Sequence, residues 1–176
     1  NNQIKQIGNL VNEFSDFARM PKPTLRENNL VILLKENIKL LKELDNSIYI
    51  DLSSNSEKII LNSDKEQISR VFLNLIKNSI ESIQQKVEND SNFNKKITIE
   101  LTENDEHINL VIVDNGIGFG KFSENIKDIL NPYFTTKKNG TGLGLSIVNK
   151  IINDHNGKIE FIPRNDGAEI KINFIK

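Results

Sequence analysis

Apolar residues change their spacing several times along the chain, and each change marks an element. Ile4, Ile7, Val11, Phe14 and Ala18 recur at three-four spacing, the seam of an amphipathic helix. Such a helix either packs on its own domain or forms part of a coiled coil or bundle whose partners lie elsewhere. Pro21 and Pro23 stop it, since proline cannot continue a helix. Residues 20–29 then read as a linker, and the body runs from about Leu30 onward. "LVILLKENIKLLKEL" gives the next amphipathic helix. "SIYIDLS" (47–53) alternates as a strand does, with "KIILN" (58–62) as its expected partner. Ser63 with Glu66 reads as a capping box. The helix behind it carries Ile68, Val71, Phe72, Leu75, Ile76, Ile80 and Ile83 on one face. "KITIEL" and "INLVIV", flanking "TENDEH", predict a hairpin. Residues 115–140 are rich in Gly, Asn and Lys with weak periodicity, and an irregular stretch of that length inside a compact domain is usually functional, often a lid. "GLSIVNKIINDHNG" is a helix ending at Gly157, and "KIEFI" and "AEIKINFI" are closing strands. Roughly three body helices against about six strands predict an α+β sandwich of two layers.

Composition narrows the chemistry. The chain has 176 residues, 37% hydrophobic and 27% charged, the balance of a soluble globular protein. A net charge of -1 gives no basic field for nucleic acid, so no nucleic-acid partner is expected. Without cysteine there are no disulfides, thiolate metal sites or cysteine nucleophiles, and with only two histidines, His107 and His155, there is no histidine-rich metal centre. No apolar run has the length of a membrane span, and no signal peptide is visible, so a cytoplasmic setting without membrane contact is expected. The opening "NNQIKQIG" lacks Met and already lies inside the helical pattern, which reads as a fragment of a longer protein.

"NGTGLGLSIV" (139–148) sets glycines directly ahead of a helix, where backbone amides and the helix N-terminus can meet a phosphate. It is not a P-loop: Gly120-Lys121 is followed by Phe122 and Gly157-Lys158 by Ile159. Nor is it a Rossmann fingerprint, because Gly140, Gly142 and Gly144 alternate and "TTKKN" before them is no strand. Taken alone, it is equally readable as a flexible loop. A second cluster, "VIVDNGIGF", places Asp114 at a strand end before Gly116 and Gly118. Asn-Gly is a strong hairpin signal, but "IGFGKFSENIKD" supplies no returning strand. The carboxylate can instead accept a hydrogen bond from an exocyclic amine such as adenine's. In a third cluster Asn74, Asn78 and Glu81 form a polar stripe on the long helix. A solvated face is the plain reading. Yet asparagine is a modest helix former, and its carboxamide oxygen suits Mg²⁺.

In order, "NLIKNSIES" (74–82), "DNGIGF" (114–119), "NPYFTTK" (131–137) and "GTGLGLSIV" (140–148) resemble the N, G1, F and G2 boxes of sensor histidine kinases, within the ATPase/kinase superfamily that includes gyrase and MutL. The resemblance spans residues 30–176 and implies a Bergerat-type (GHKL) two-layer fold. "FSDFARMPKP" further resembles the NtrY-type branch. What it implies is ATP and Mg²⁺ as ligands, with Asn78 on the metal and Asn74 supporting metal or phosphates, and with Glu81 on the same stripe. Asp114 would bind the adenine amine, with Gly116 and Gly118 passing close to the base. Phe134 would anchor a lid over 119–139, Lys137 would contact phosphate, and Gly140, Thr141, Gly142, Leu143, Gly144 and Leu145 would line the phosphates. Hydrolytic relatives carry a glutamate where Asn74 stands, and an amide is no general base, so a kinase is implied rather than a dedicated ATPase. The same fold also serves protein-serine kinases and anti-sigma factors. The family's acceptor histidine sits on a dimeric helical hairpin. His155, near a helix end, and His107, in a hairpin turn, both read as structural or surface residues, so the acceptor is expected upstream. Residues 1–20 then resemble the lower half of the second hairpin helix, making a homodimer of the intact protein. The implied partner is a response regulator with an NtrX-like receiver domain, and the implied parent protein is anchored in the inner membrane.

Overall fold

The computed structural model describes residues 8, 11, 15, 20–44, 46–87, 93–119, 126, 128–135 and 140–176. In chain order its elements are β1 (Arg26–Asn29), α1 (Leu30–Leu44), β2 (Tyr49–Ser54), β3 (Ile60–Ser63), α2 (Lys65–Val87), β4 (Lys96–Glu103), β5 (His107–Asp114), α3 (Gly144–Asp154), β6 (Gly157–Arg164) and β7 (Gly167–Ile175). Five strands form one mixed sheet in the order β2-β4-β5-β7-β6, parallel only at β2–β4, while β1 and β3 form a separate antiparallel pair. Strand alternation sends Ile97, Ile99, Leu101, Ile108, Leu110, Ile112, Ile170, Ile172 and Phe174 to the covered face, where all are buried. The opposite face carries Glu100, Asn109, Lys171 and Asn173, with Asn173 Nδ2 donating to Asn109 Oδ1 at 2.8 Å. The predicted two-layer α+β sandwich is therefore present, and all seven apolar positions assigned to the long helix are buried in α2.

Three local expectations are corrected. Arg26–Asn29, read as linker, form β1, and Asn29 Oδ1 then accepts the Val31 N–H at the start of α1. β2 does not pair with its neighbour β3. It runs parallel to β4, with Ile50 opposite Ile97 and Leu52 opposite Ile99, and Asn55 prolongs that pairing by exchanging hydrogen bonds with the Glu103 backbone. Chain adjacency favoured a hairpin, but placing Ile50 and Leu52 on the covered face of the large sheet brings β2 beside β4. The third correction concerns the cap of α2. Ser63 still belongs to β3, and its hydroxyl donates to Leu61 O. The cap is Asp64, whose Oδ1 accepts the N–H groups of Glu66 and Gln67, both at 3.1 Å.

Most of the N-terminal seam lies outside the described residues. Gly8, Val11 and Ser15 are helical, and Val11 is 55% exposed.

Candidate functional site

The end of β5 supplies the first component. Asp114 is 4% exposed, its Oδ2 accepting from Ser79 Oγ and its Oδ1 from the Gly116 N–H, both at 3.0 Å. Burial pushes its carboxyl above the usual carboxylate range, outweighing the opposing pull of the Gly116 amide, the Ser79 and Ser82 hydroxyls and the Ala168 amide. The Ser82 hydroxyl and the Ala168 amide also face this carboxylate, which is thus held from α2, from its own turn and from β7.

The backbone around it is bolted down. Asn115 accepts the Lys96 N–H through Oδ1, donates through Nδ2 to Asn94 O, and receives Lys86 Nζ on its carbonyl at 2.8 Å. Lys86 also pairs with Asp166 and lies 4.4 Å over the Phe93 ring. Gly116 docks on α2, where a Cβ would come within 2.6 Å of the Ser82 carbonyl carbon. From the other side comes Gly167, at φ +108°, so close that any Cβ would overlap the Asp114 carbonyl oxygen. Gly118 in turn lies against the Gly167 carbonyl. Phe119, in the irregular segment after β5, meets Phe161 edge-on at 6.0 Å.

The second component lies between α2 and α3. Asn74, Asn78 and Glu81 are all half-buried along α2. Asn74 Nδ2 donates to Arg70 O at 2.8 Å, which turns its Oδ1 toward α3, 3.0 Å from where a Gly144 Cβ would stand. Glu81 lies 3.9 Å from Lys77. Leu143 holds the N-cap position of α3 without a side-chain cap, and its own side chain is fully buried. Its N–H reaches Thr141 Oγ1 at 3.4 Å, whereas the amides of Gly144 and Leu145 meet no protein acceptor among the described residues. A helix start left open in this way attracts anions.

Two stretches from the C-terminal part of the irregular segment meet here. The Tyr133 N–H donates to Gly142 O at 3.0 Å, and both residues have left-handed backbones, φ 68° and 71°. A Cβ on Gly142 would come within 2.7 Å of Tyr133 Cα, so only glycine fits beneath the tyrosine. Phe134 is half-buried against the core, and Gly140 and Thr141 are half-buried beside it in sequence order. Lys137 lies outside the described residues. Among the described residues no group of three His, Cys, Asp or Glu side chains could hold a metal ion. A cation here would therefore rely on amide oxygens such as that of Asn74 and on a ligand's own phosphates, a donor set that suits Mg²⁺.

Sequence reading missed four contributors: Ser79, Lys86, Tyr133 and Gly167. Two left a signal. Ser79 is a polar residue in the otherwise apolar row Phe72, Ile76, Ile83, and Gly167 ends a turn-forming Asn-Asp-Gly.

His155 has both ring nitrogens engaged. His155 is 5% exposed; its Nδ1–H donates to Ile151 O at 2.8 Å and its Nε2 accepts the Asp64 N–H at 3.0 Å. His107 opens β5 beside Glu106, with Nδ1 buried.

Residues 63–175 match the family described as histidine kinase-, DNA gyrase B-, and HSP90-like ATPase. Nitrogen regulation protein NtrY of Azorhizobium caulinodans is 34% identical over 97% of the chain. A NtrY-like sensor histidine kinase of Rickettsia typhi is 37% identical over 96%. The chain spans only 22% and 27% of the lengths of those two relatives. Among solved structures, the catalytic domain of histidine kinase ThkA superposes with a TM-score of 0.72 at 30% identity, covering 86% of this chain and 95% of that one. ThkA in complex with the response regulator TrrA gives 0.79 at 25% identity over 99% of this chain and 48% of that one. The chain belongs to the histidine kinase-, DNA gyrase B- and HSP90-like ATPase family, and its relatives there include sensor histidine kinases of the NtrY type.

Proposed function

We propose that this chain binds Mg²⁺-ATP and acts as the catalytic part of a two-component sensor histidine kinase. The observation that carries the reading is the meeting of Asn74 Oδ1 with Gly144 at the open start of α3. A neutral amide oxygen there offers a metal a ligand, and free backbone amides beside it offer phosphate oxygens their donors. Asp114 accepts the adenine amine, with Gly116 and Gly118 shaping the backbone around the base. Asn78 joins Asn74 on the metal, with Glu81 next along the stripe. Phe134 anchors the lid, Lys137 neutralises phosphate charge, and Gly140, Thr141, Gly142, Leu143, Gly144 and Leu145 form the phosphate loop. The bound Mg²⁺ would screen phosphate charge. Transfer then consists of a histidine ring nitrogen attacking the γ-phosphorus while the bond to the ADP oxygen breaks, a step that depends on positioning and charge neutralisation.

The acceptor histidine lies outside residues 1–176, because His155 has both ring nitrogens engaged and His107 is a partly covered strand residue. From the acceptor the phosphoryl group passes to an aspartate of a response regulator with an NtrX-like receiver domain. Residues 1–20 close the dimerisation hairpin of a membrane-anchored parent protein, residues 30–176 form its catalytic domain, and the catalytic part works in the cytoplasm. In the described part, no helix is long and apolar enough to cross a membrane. The hydrolytic alternative lacks a base at Asn74, and the protein-serine alternative is disfavoured by likeness to NtrY over 97% of the chain.

The test follows γ-labelled ATP onto the full-length protein. Acid-labile label that disappears when an upstream histidine is replaced supports the reading. Acid-stable label on serine, or rapid Mg²⁺-dependent hydrolysis without labelling, contradicts it.

A further inference from the structure

α2 and α3 run antiparallel and are joined at both ends. At one end Asn74 faces Gly144. About ten residues away, roughly 15 Å along the helix axes, His155 holds the N-terminus of α2. That second junction has more partners than a cap requires. Asp64 Oδ1 accepts the Glu66 and Gln67 amides, its Oδ2 accepts the Thr24 N–H at 2.9 Å, and its own N–H goes to His155 Nε2. Gln67 Nε2 adds a bond to Pro21 O at 3.1 Å. The imidazole can accept at Nε2 only because Nδ1 carries the proton that goes to Ile151 O within α3. Residues of three segments, the stretch from Pro21 to Thr24, the first turn of α2 and the last turn of α3, thus meet at one aspartate.

We propose that Asp64 and His155 are positioning residues that set the axial placement of α3 against α2, and so couple docking of the Pro21–Thr24 segment to nucleotide binding at the other end of α3. The inference rests on the nucleotide reading of that end. α3 is a single 11-residue helix without proline, so displacement at His155 moves Gly144 and its open amide as one body. Neither Asp64 nor His155 touches the nucleotide. Their effect is felt through the distance between Gly144 and Asn74. Coupling of this kind is reciprocal: if docking of Thr24 favours nucleotide, nucleotide must favour docking of Thr24 by the same factor.

Asp64→Asn separates docking from folding. The asparagine oxygen still caps α2, but its NH₂ cannot accept the Thr24 N–H. The experiment measures amide hydrogen exchange at Thr24 with and without saturating Mg²⁺-ADP, together with ADP affinity. In the wild-type chain ADP should slow Thr24 exchange about five- to tenfold, and Asp64→Asn should weaken ADP binding by a matching factor while Thr24 ceases to respond. His155→Leu should abolish the response, and His155→Gln, whose carbonyl can accept the same N–H, should restore part of it, which a merely structural role would not produce. ADP that saturates the site without altering Thr24 exchange, or that binds Asp64→Asn as tightly as wild type, overturns the coupling and leaves the nucleotide reading intact. Failure of ADP to bind the wild-type chain overturns both.

Discussion

Asp114 and Asp64 are both aspartates at element ends, and both are hydrogen-bonded to backbone amides, yet their surroundings act on them in opposite directions. At Asp64 burial works to raise the carboxyl pKa, but the amides of Thr24, Gln67 and Glu66 outweigh it and hold the group below the usual carboxylate value. At Asp114 burial prevails over the Gly116 and Ser79 donors and the group is held above it. The first is a junction where the carboxylate's partners come from the protein. The second is a desolvated carboxylate whose charged form burial disfavours despite its donors. α3 repeats the contrast along its length: its C-terminal end is closed by His155, while its N-terminal amides are open.

The largest loss is expected from disturbing the backbone beneath Asp114. Gly167→Ala adds a Cβ where the Asp114 carbonyl already lies, in a left-handed backbone. We expect a loss of about 3 kcal/mol, or roughly 6–12 °C in melting temperature, together with nucleotide affinity. Thermal unfolding reads the first and calorimetry the second. Next comes Asp114→Asn, which removes the charge and keeps the shape. Adenine nucleotide affinity should fall about 10- to 100-fold with the melting temperature little changed, and unchanged affinity would remove the assignment of Asp114.

Acid separates the two aspartates further. Because the folded pKa of Asp64 is lowered, its contribution to stability is full above the unfolded carboxylate value and is lost as pH falls through the folded one. Asp114, with a raised folded pKa, has the reverse sign: its contribution is full below the unfolded value and is lost as pH rises through the folded one. Asp64→Ala should therefore cost about 1–2 kcal/mol near neutral pH and less in strong acid, as measured by denaturant unfolding across pH. The smallest effect is expected at the open end of α3. Asn74→Glu should raise phosphate release by less than about tenfold, since a carboxylate without a positioned water is not an efficient base.

The parts of this arrangement that are legible in the sequence share a physical cause. α2 is readable because its seven buried apolar residues repeat with the helical period, and the end of β5 at Asp114 because its alternating apolar run stops there ahead of glycines. What escaped depends on contacts between distant positions. Ser79 meets Asp114 across 35 residues, and Gly167 lies against the Asp114 carbonyl from the neighbouring strand β7, far along the chain. β2 was assigned to its neighbour because chain adjacency is visible in a sequence and parallel pairing with β4 is not. The choice of Asp64 over Ser63 as the cap turned on a single residue, finer than apolar periodicity can fix.

In the proposed function Asp114 accepts the adenine amine. Guanine presents a carbonyl at the equivalent ring position and cannot donate there. Calorimetric titration of the chain with Mg²⁺-ATP and Mg²⁺-GTP, for wild type and Asp114→Asn, tests this directly. Wild type should bind ATP at least about tenfold more tightly than GTP, and Asp114→Asn should lose most of that preference. Equal binding of both nucleotides by the wild-type chain, or a preference that survives the substitution, would contradict it.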